Sequence, residues 1–295
     1  MGQALPNPEK NLPTTIQSFP VQNLNPGKFD NYSQEANSIL DIKAFDGFVL
    51  ELNHHLNKQF SLGHSLTMGS YRKPPSYSIQ TSYNNNSMSL VGNMDMNGFL
   101  RGNFLARLSQ RMFVQSSFNV SKRESNSNGV INAEYMGKDW TGRMEYQSTK
   151  TFTSSYYQRL TKKLSVGLRL TYFNPNKASS IMLMGRHVGE KSISTFTYSD
   201  FLKYISLSYV HKITPRIGFG TEFYFNLANY SSFTSLGFKY SLRNAIFQSR
   251  LTSTGQLETC VSLAFPIVTL GFSVTMDYLN DKYSAGIKVH LGPRD

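Results

Sequence analysis

The sequence predicts an all-β transmembrane barrel of about 19 strands whose first and last strands pair in parallel, with a short N-terminal helix inside the pore. Three observations predict it. Apolar and polar residues alternate with a period of two through most of the chain. Turn-forming residues break that alternation every dozen or so positions, and no helical periodicity of convincing length returns from Gly47 onward. The final stretch, Asp281 to Leu291, alternates to its end: Tyr283, Ala285, Ile287, Val289 and Leu291 fall on one face, and Ser284, Gly286, Lys288 and His290 on the other. A closed barrel must join such a strand to its first strand, because an unpaired edge cannot sit in lipid.

Composition supports strands over membrane helices. Of 295 residues 39% are hydrophobic, 16% charged and 13% aromatic, with 21 Phe and 17 Tyr against one Trp. No run approaches the roughly 18 uncharged apolar residues that a membrane helix needs. Val261 to Val274 comes nearest and is interrupted by serines, Pro266 and Gly271. The mean hydropathy of −0.35 reads as soluble, but a barrel evades that test because only alternate residues face lipid. The start, MGQALPNPEKNLPTT, has neither an apolar signal core nor the Arg-rich pattern of a matrix presequence, which disfavours a bacterial secreted barrel. Pro6 stands where a myristoylation motif needs Ser or Thr. A single cysteine, Cys260, excludes an internal disulfide framework. The net charge of +12 is spread without a Lys/Arg block, so lipid headgroups or a mixed-charge lumen account for it better than nucleic acid.

In chain order, residues 1–24 carry Pro6, Pro8, Pro13 and Pro20 without periodicity and read as an extended arm. Residues 25–43 hold the turn Asn25-Pro26-Gly27 and an amphipathic helix from Lys28 to about Asp41. Asp30, Glu35 and Asp41 on its polar face favour a plug against the barrel wall over a lysine-rich membrane-surface helix. The barrel follows over 47–291, leaving 292–295 as a tail. Gln59 to Met68, Arg111 to Ser121, Leu164 to Phe173 and the runs after Ile217 each present a full apolar face. Breaks such as Pro74-Pro75, Asn97-Gly98, Asn174-Pro175-Asn176 and Asn280-Asp281 separate the strands. An odd count of antiparallel neighbours forces the first and last strands to meet in parallel. A soluble sandwich shares the alternation, yet one uninterrupted series with short connections suits a single closed sheet better.

Several stretches together resemble the channel subunit of the mitochondrial outer-membrane protein translocase, the TOM complex, from about Asn25 to Gly292. They are NPGKF at Asn25, GFVLELNHHLNKQFSLGHSLTMG at Gly47, VGNMDMNGFL at Val91, AEYMGKDWTG at Ala133, KYISLSYVHKITPRIGFGTEF at Lys203 and the terminal DKYSAGIKVHLG. The last is similar to the sorting signal of mitochondrial outer-membrane barrels through Ser284, Gly286, Val289 and Leu291. Such a strand can pair with an exposed edge in an insertion machine and leave by strand exchange.

The resemblance implies a mitochondrial outer-membrane channel that passes unfolded precursor proteins to the intermembrane space, without cofactor, metal or covalent chemistry. Implied partners are precursors with basic presequences, small single-helix translocase subunits, a central receptor subunit, a second copy of the barrel, and intermembrane-space chaperones at the arm. A lumen for basic amphipathic chains should be polar, acidic in places and weakly binding. Alternation puts Glu51, Glu134, Glu145, Glu222, Glu258 and Asp277 on the polar face as candidate presequence contacts. Arg101, Arg111, Arg143, Arg169, Lys239 and Lys288 share that face, so cross-strand pairing competes with substrate contact for each acid. Enzyme signals are absent. His54 and His55 point to opposite faces, the other histidines are scattered, and no GxSxG occurs. The alternative reading is a metabolite porin of the voltage-dependent anion channel type, which the basic charge suits. Against it, the Pro-rich arm precedes the helix, where such a porin starts its helix almost at residue one.

Overall fold

The computed structural model describes residues 25–70, 74–121, 127–175 and 177–292, so the arm at 1–24 and residues 293–295 of the tail lie outside the described residues. Its framework is one 19-stranded sheet closed on itself. The first strands are β1 (Gly47–His55), β2 (Phe60–Met68), β3 (Ser76–Asn84), β4 (Met88–Asp95), β5 (Leu100–Arg107) and β6 (Met112–Val120). There follow β7 (Asn128–Met136), β8 (Trp140–Gln147), β9 (Thr151–Arg159), β10 (Leu164–Phe173), β11 (Ala178–Val188) and β12 (Ser192–Ser199). The series ends with β13 (Tyr204–Thr214), β14 (Ile217–Asn226), β15 (Ser232–Ser241), β16 (Ala245–Thr252), β17 (Gln256–Ala264), β18 (Val268–Asp277) and β19 (Lys282–Leu291). Lengths run from 8 to 11 residues, the span of a tilted strand across hydrocarbon.

Consecutive strands pair antiparallel, and β1 meets β19 in parallel with Gly47 opposite Gly286, Leu50 opposite Val289 and Leu52 opposite Leu291. The predicted count and closure are both found. On the lumen side of this seam Lys288 reaches Glu51 at 2.7 Å and His290 Nδ1 lies 3.3 Å from the same carboxylate. The slanted parallel ladder is thus reinforced by an ion pair and a hydrogen-bond contact across it.

Side-chain alternation sorts the two faces. Along β10, Leu164, Val166, Leu168, Leu170 and Tyr172 are exposed outward, while Ser165, Gly167 and Arg169 face the interior. Exposed apolar residues on a closed sheet belong against lipid. The left-handed turn residues Gly98, Lys150, Lys177, Lys203, Tyr230, Gly255 and Asp281 all lie in turns from an even-numbered to an odd-numbered strand, hence on one rim.

The only substantial buried core among the described residues lies between the N-terminal segment and the inner wall. The helix predicted over Lys28 to Asp41 is instead a 3-10 turn, Phe29–Asn31, followed by α1 (Gln34–Leu40). Contacts with a curved wall override helical continuity, as the flanking side chains must reach successive strands. Phe29 is 1% exposed and packs on Tyr157 and Met184 beside Gly167. Ile39 and Leu40 lie on Gly218, Gly220 and Gly237, where the wall has no Cβ to keep the helix away. Phe45 then crosses Gly271 and Gly286, its amide donating to Ser273 Oγ at 3.2 Å. Each fully buried side chain of this kind contributes roughly 1.5–3 kcal/mol. The segment therefore lies along the inner wall, from the β7–β8 turn to the seam.

A Cβ at Gly237 would meet Leu40 Cδ2 at 2.7 Å. Gly237→Leu should displace α1 and destabilise the barrel by about 1–3 kcal/mol in thermal unfolding from detergent. Gly185→Ala, where a Cβ meets nothing within 4 Å, is the control that should leave the transition in place.

Candidate pore

The interior wall is built by register. In β7 and β8, Glu134 faces Arg143 across the ladder and Glu145 faces Asn132. In β16 and β17, Arg250 sits opposite Glu258. Every one of the acids singled out from alternation, Glu51, Glu134, Glu145, Glu222, Glu258 and Asp277, falls on the lumen face.

Most of them are partnered. Glu51 is held by Lys288 and His290, and Glu134 by Lys28 at 3.3 Å. Arg143 Nη2 donates to Glu145 at 2.6 Å, and Arg250 Nη2 to Glu258 at 2.8 Å. Asp277 sits at a strand end, where it accepts from the Asn280 backbone N–H at 3.1 Å and side-chain amide at 2.9 Å, so it shapes the last turn. Glu222 accepts from Ser206 Oγ at 3.1 Å and forms no ion pair among the described residues. Next to it, on the same face, Tyr224 stacks between Tyr204 and Phe233, both with centroids 5.1 Å away. This sets a carboxylate without a cation partner among the described residues beside a row of aromatic rings.

The N-terminal segment brings charges of its own. Asp30 bridges Arg143 and Arg169, and Glu35 accepts from Arg186 Nη2 at 2.5 Å. The Arg169 guanidinium also lies 4.3 Å from the centre of the Phe29 ring. Asn25 anchors the start, its amide donating to the carbonyls of Gly137 and Trp140 at 2.8 and 3.0 Å. Asp30 and Glu35 thus serve as counter-ions for a row of wall arginines on β8, β10 and β11, and Asp41 forms no ion pair among the described residues. That role was missed in the sequence, although the signal was there: an acidic helix face beside a lumen rich in arginine. No group of His, Cys, Asp and Glu suited to a metal occurs among the described residues.

An apolar outer wall, a charged polar lumen and an inner segment bound along its wall define a membrane-spanning channel. The chain belongs to the eukaryotic porin family, whose model matches residues 25–287. It is similar to the protein named probable mitochondrial import receptor subunit TOM40-2 of Arabidopsis thaliana, at 22% identity over 90% of both chains. Similarity at 22% identity also extends to the Xenopus laevis mitochondrial import receptor subunit TOM40 homolog, over 97% of this chain and 88% of that one. The human mitochondrial import receptor subunit TOM40B matches at 22% over 91% and 92%.

Removing the carboxylate charges of the segment leaves Arg143, Arg169 and Arg186 less compensated. Asp30→Asn with Glu35→Gln should shift the reversal potential in a salt gradient toward anions and raise open-channel current noise. A selectivity and noise level identical to the parent chain would show that the segment's charges do not bear on the conducting path.

Proposed function

We propose that this chain is the protein-conducting channel of the mitochondrial outer membrane, passing unfolded precursor proteins from the cytosol to the intermembrane space. The observation that carries the reading is the end-to-end similarity to proteins named mitochondrial import receptor subunits, over a barrel with a polar lumen. The work is conduction rather than covalent chemistry, and needs no cofactor. Precursors with basic presequences are the cargo. Small single-helix subunits, a central receptor subunit, a second copy of the barrel and intermembrane-space chaperones are its proposed partners.

The paired acids fit transport because a carboxylate already held by Arg or Lys offers a passing cation only a weak, exchangeable contact. Glu222 is the strongest candidate for direct contact: its charge is not matched by a wall cation, and the neighbouring rings suit the apolar face of an amphipathic chain. The alternative, a metabolite porin, draws on the excess of basic residues, while the family match supports it only weakly.

Planar-bilayer recordings separate the two. A synthetic basic amphipathic presequence should block the reconstituted channel transiently and with voltage dependence, and an uncharged peptide of equal length should not. Anion-selective current indifferent to the presequence would instead establish the porin. Glu222→Gln should shorten the block about fivefold, the scale of one screened charge contact of ~1 kcal/mol. Glu258→Gln, whose partner is Arg250, should change it less.

We also propose that Ser284, Gly286, Val289 and Leu291 address the chain for insertion. Gly286 has a packing role besides, since a Cβ there would meet Phe45 O at 2.5 Å. Leu291→Gln should therefore refold in detergent yet fail to insert into isolated mitochondria, and Gly286→Ala should be impaired in both. Normal insertion of Leu291→Gln would remove the terminal strand as an address.

A further inference from the structure

The outer wall is not uniformly convex. Over β10 to β15 it holds a groove of about 470 Å³, and a second of about 310 Å³ adjoins it over β14 to β16, sharing Thr221. Small side chains make the depression: Gly185, Ser194, Thr221 and Thr234 alternate with the rings of Phe196 and Phe223. At Gly185 a Cβ would meet nothing within 4 Å, so the space is open above the backbone.

The groove starts beneath a charged rim. Leu164, which lines it, directly follows Lys163, and His187, which also lines it, ends two residues before Gly189 and the turn carrying Lys191. Backbone bonds make this rim continuous: Val188 N–H donates to Lys163 O at 2.7 Å, Lys212 N–H to Lys191 O at 2.8 Å, and Ser241 N–H to Arg216 O at 2.8 Å. The turns of this arc carry Lys162, Lys163, Lys191, Arg216 and Arg243 against Glu190 alone, and all five cations are exposed. The opposite rim over the same strands is close to balanced among the described residues, with Lys177, Asp200 and Lys203.

We propose that this part of the wall is a binding site for an anionic phospholipid, with its acyl chains in the two adjoining grooves and its phosphate on the arc of Lys163, Lys191 and Arg216. The apolar depression accounts for the chains and the basic arc for the headgroup. A neutral lipid would gain only the first, while each basic residue near an anionic headgroup is worth roughly fivefold in affinity. The site lies on the outside of the barrel and is independent of what the lumen conducts.

The test is native mass spectrometry of the full chain refolded in non-ionic detergent and titrated with dioleoylphosphatidylglycerol or dioleoylphosphatidylcholine. The parent chain should retain one phosphatidylglycerol under activation that strips phosphatidylcholine. Lys163→Glu with Lys191→Glu and Arg216→Glu should bring phosphatidylglycerol retention down to the phosphatidylcholine level. Gly185→Leu with Thr221→Leu, which fills the groove and leaves the rim intact, should also lower it. Lys58→Glu, on the same rim at the distant β1–β2 turn, should not. Unchanged single-channel conductance certifies that each variant is folded. Equal retention of both lipids, or phosphatidylglycerol retention indifferent to the rim variant or to the groove variant, overturns the proposal. Retention of neither lipid overturns it as well, and leaves the groove to a membrane helix of a partner.

Discussion

The structure depends on one constraint: no backbone amide or carbonyl can be left without a partner in hydrocarbon, where each orphan costs several kcal/mol. A sheet satisfies this only by closing. With an odd number of strands, closure places β19 beside β1 in parallel, and the register Gly47 to Gly286 through Leu52 to Leu291 sets how the cylinder meets itself. The seam is also where the inner segment ends, because Phe45 needs the bare backbone of Gly286 and Gly271 to lie flat before Gly47 turns into β1 at φ +74°. Closure, glycine placement and entry of the chain into the wall are one arrangement.

A closed barrel has no interior of its own to fill, so the usual relation between core and stability is displaced. Outward apolar residues are stabilised by lipid, and the core that does exist is the interface between the inner segment and the wall. Its chemistry is mixed along its length. Over the first part Lys28, Asp30 and Glu35 form ion pairs with wall residues of β7, β8, β10 and β11 around the buried Phe29. Further on, Ile39 and Leu40 pack on glycines. The ionic contacts are partly exposed and individually weak, whereas the apolar ones remove whole side chains from water. Packing therefore holds the segment, and the charges place it.

The barrel was legible because its period is physical. Alternation follows from one face meeting lipid and the other water, and it survives sequence change as long as that partition holds. Parallel closure followed from counting turns. The N-terminal segment was legible only in outline: apolar spacing announced a helix, but its length was decided by the curved wall, which cut it to Gln34–Leu40. The acids were assigned to the correct face by parity alone. Which acid meets which cation was not readable, because Lys28 with Glu134 and Asp30 with Arg169 join residues over a hundred positions apart. Strand pairs such as Arg250 with Glu258 were within reach, since one tight turn fixes their register.

Pairing four of the six candidate lumen acids with a cation has a consequence for what the pore can do. An uncompensated carboxylate row would hold a basic chain firmly at each step, and a transported segment that binds firmly must also be pulled free. Glu134 is buried beneath Lys28; with Glu51, Glu145 and Glu258 engaged, a passing cation would compete with a resident Lys, His or Arg, and the net gain per contact would shrink toward that of an exposed ion pair. Glu222 beside the stacked rings and Asp277 in its turn have no cation partner among the described residues, and a single stronger contact at Glu222, as proposed above, would bias entry without creating a chain of traps. A wall arranged in this way favours passage over retention, which is the requirement of a conduit for chains of many sequences.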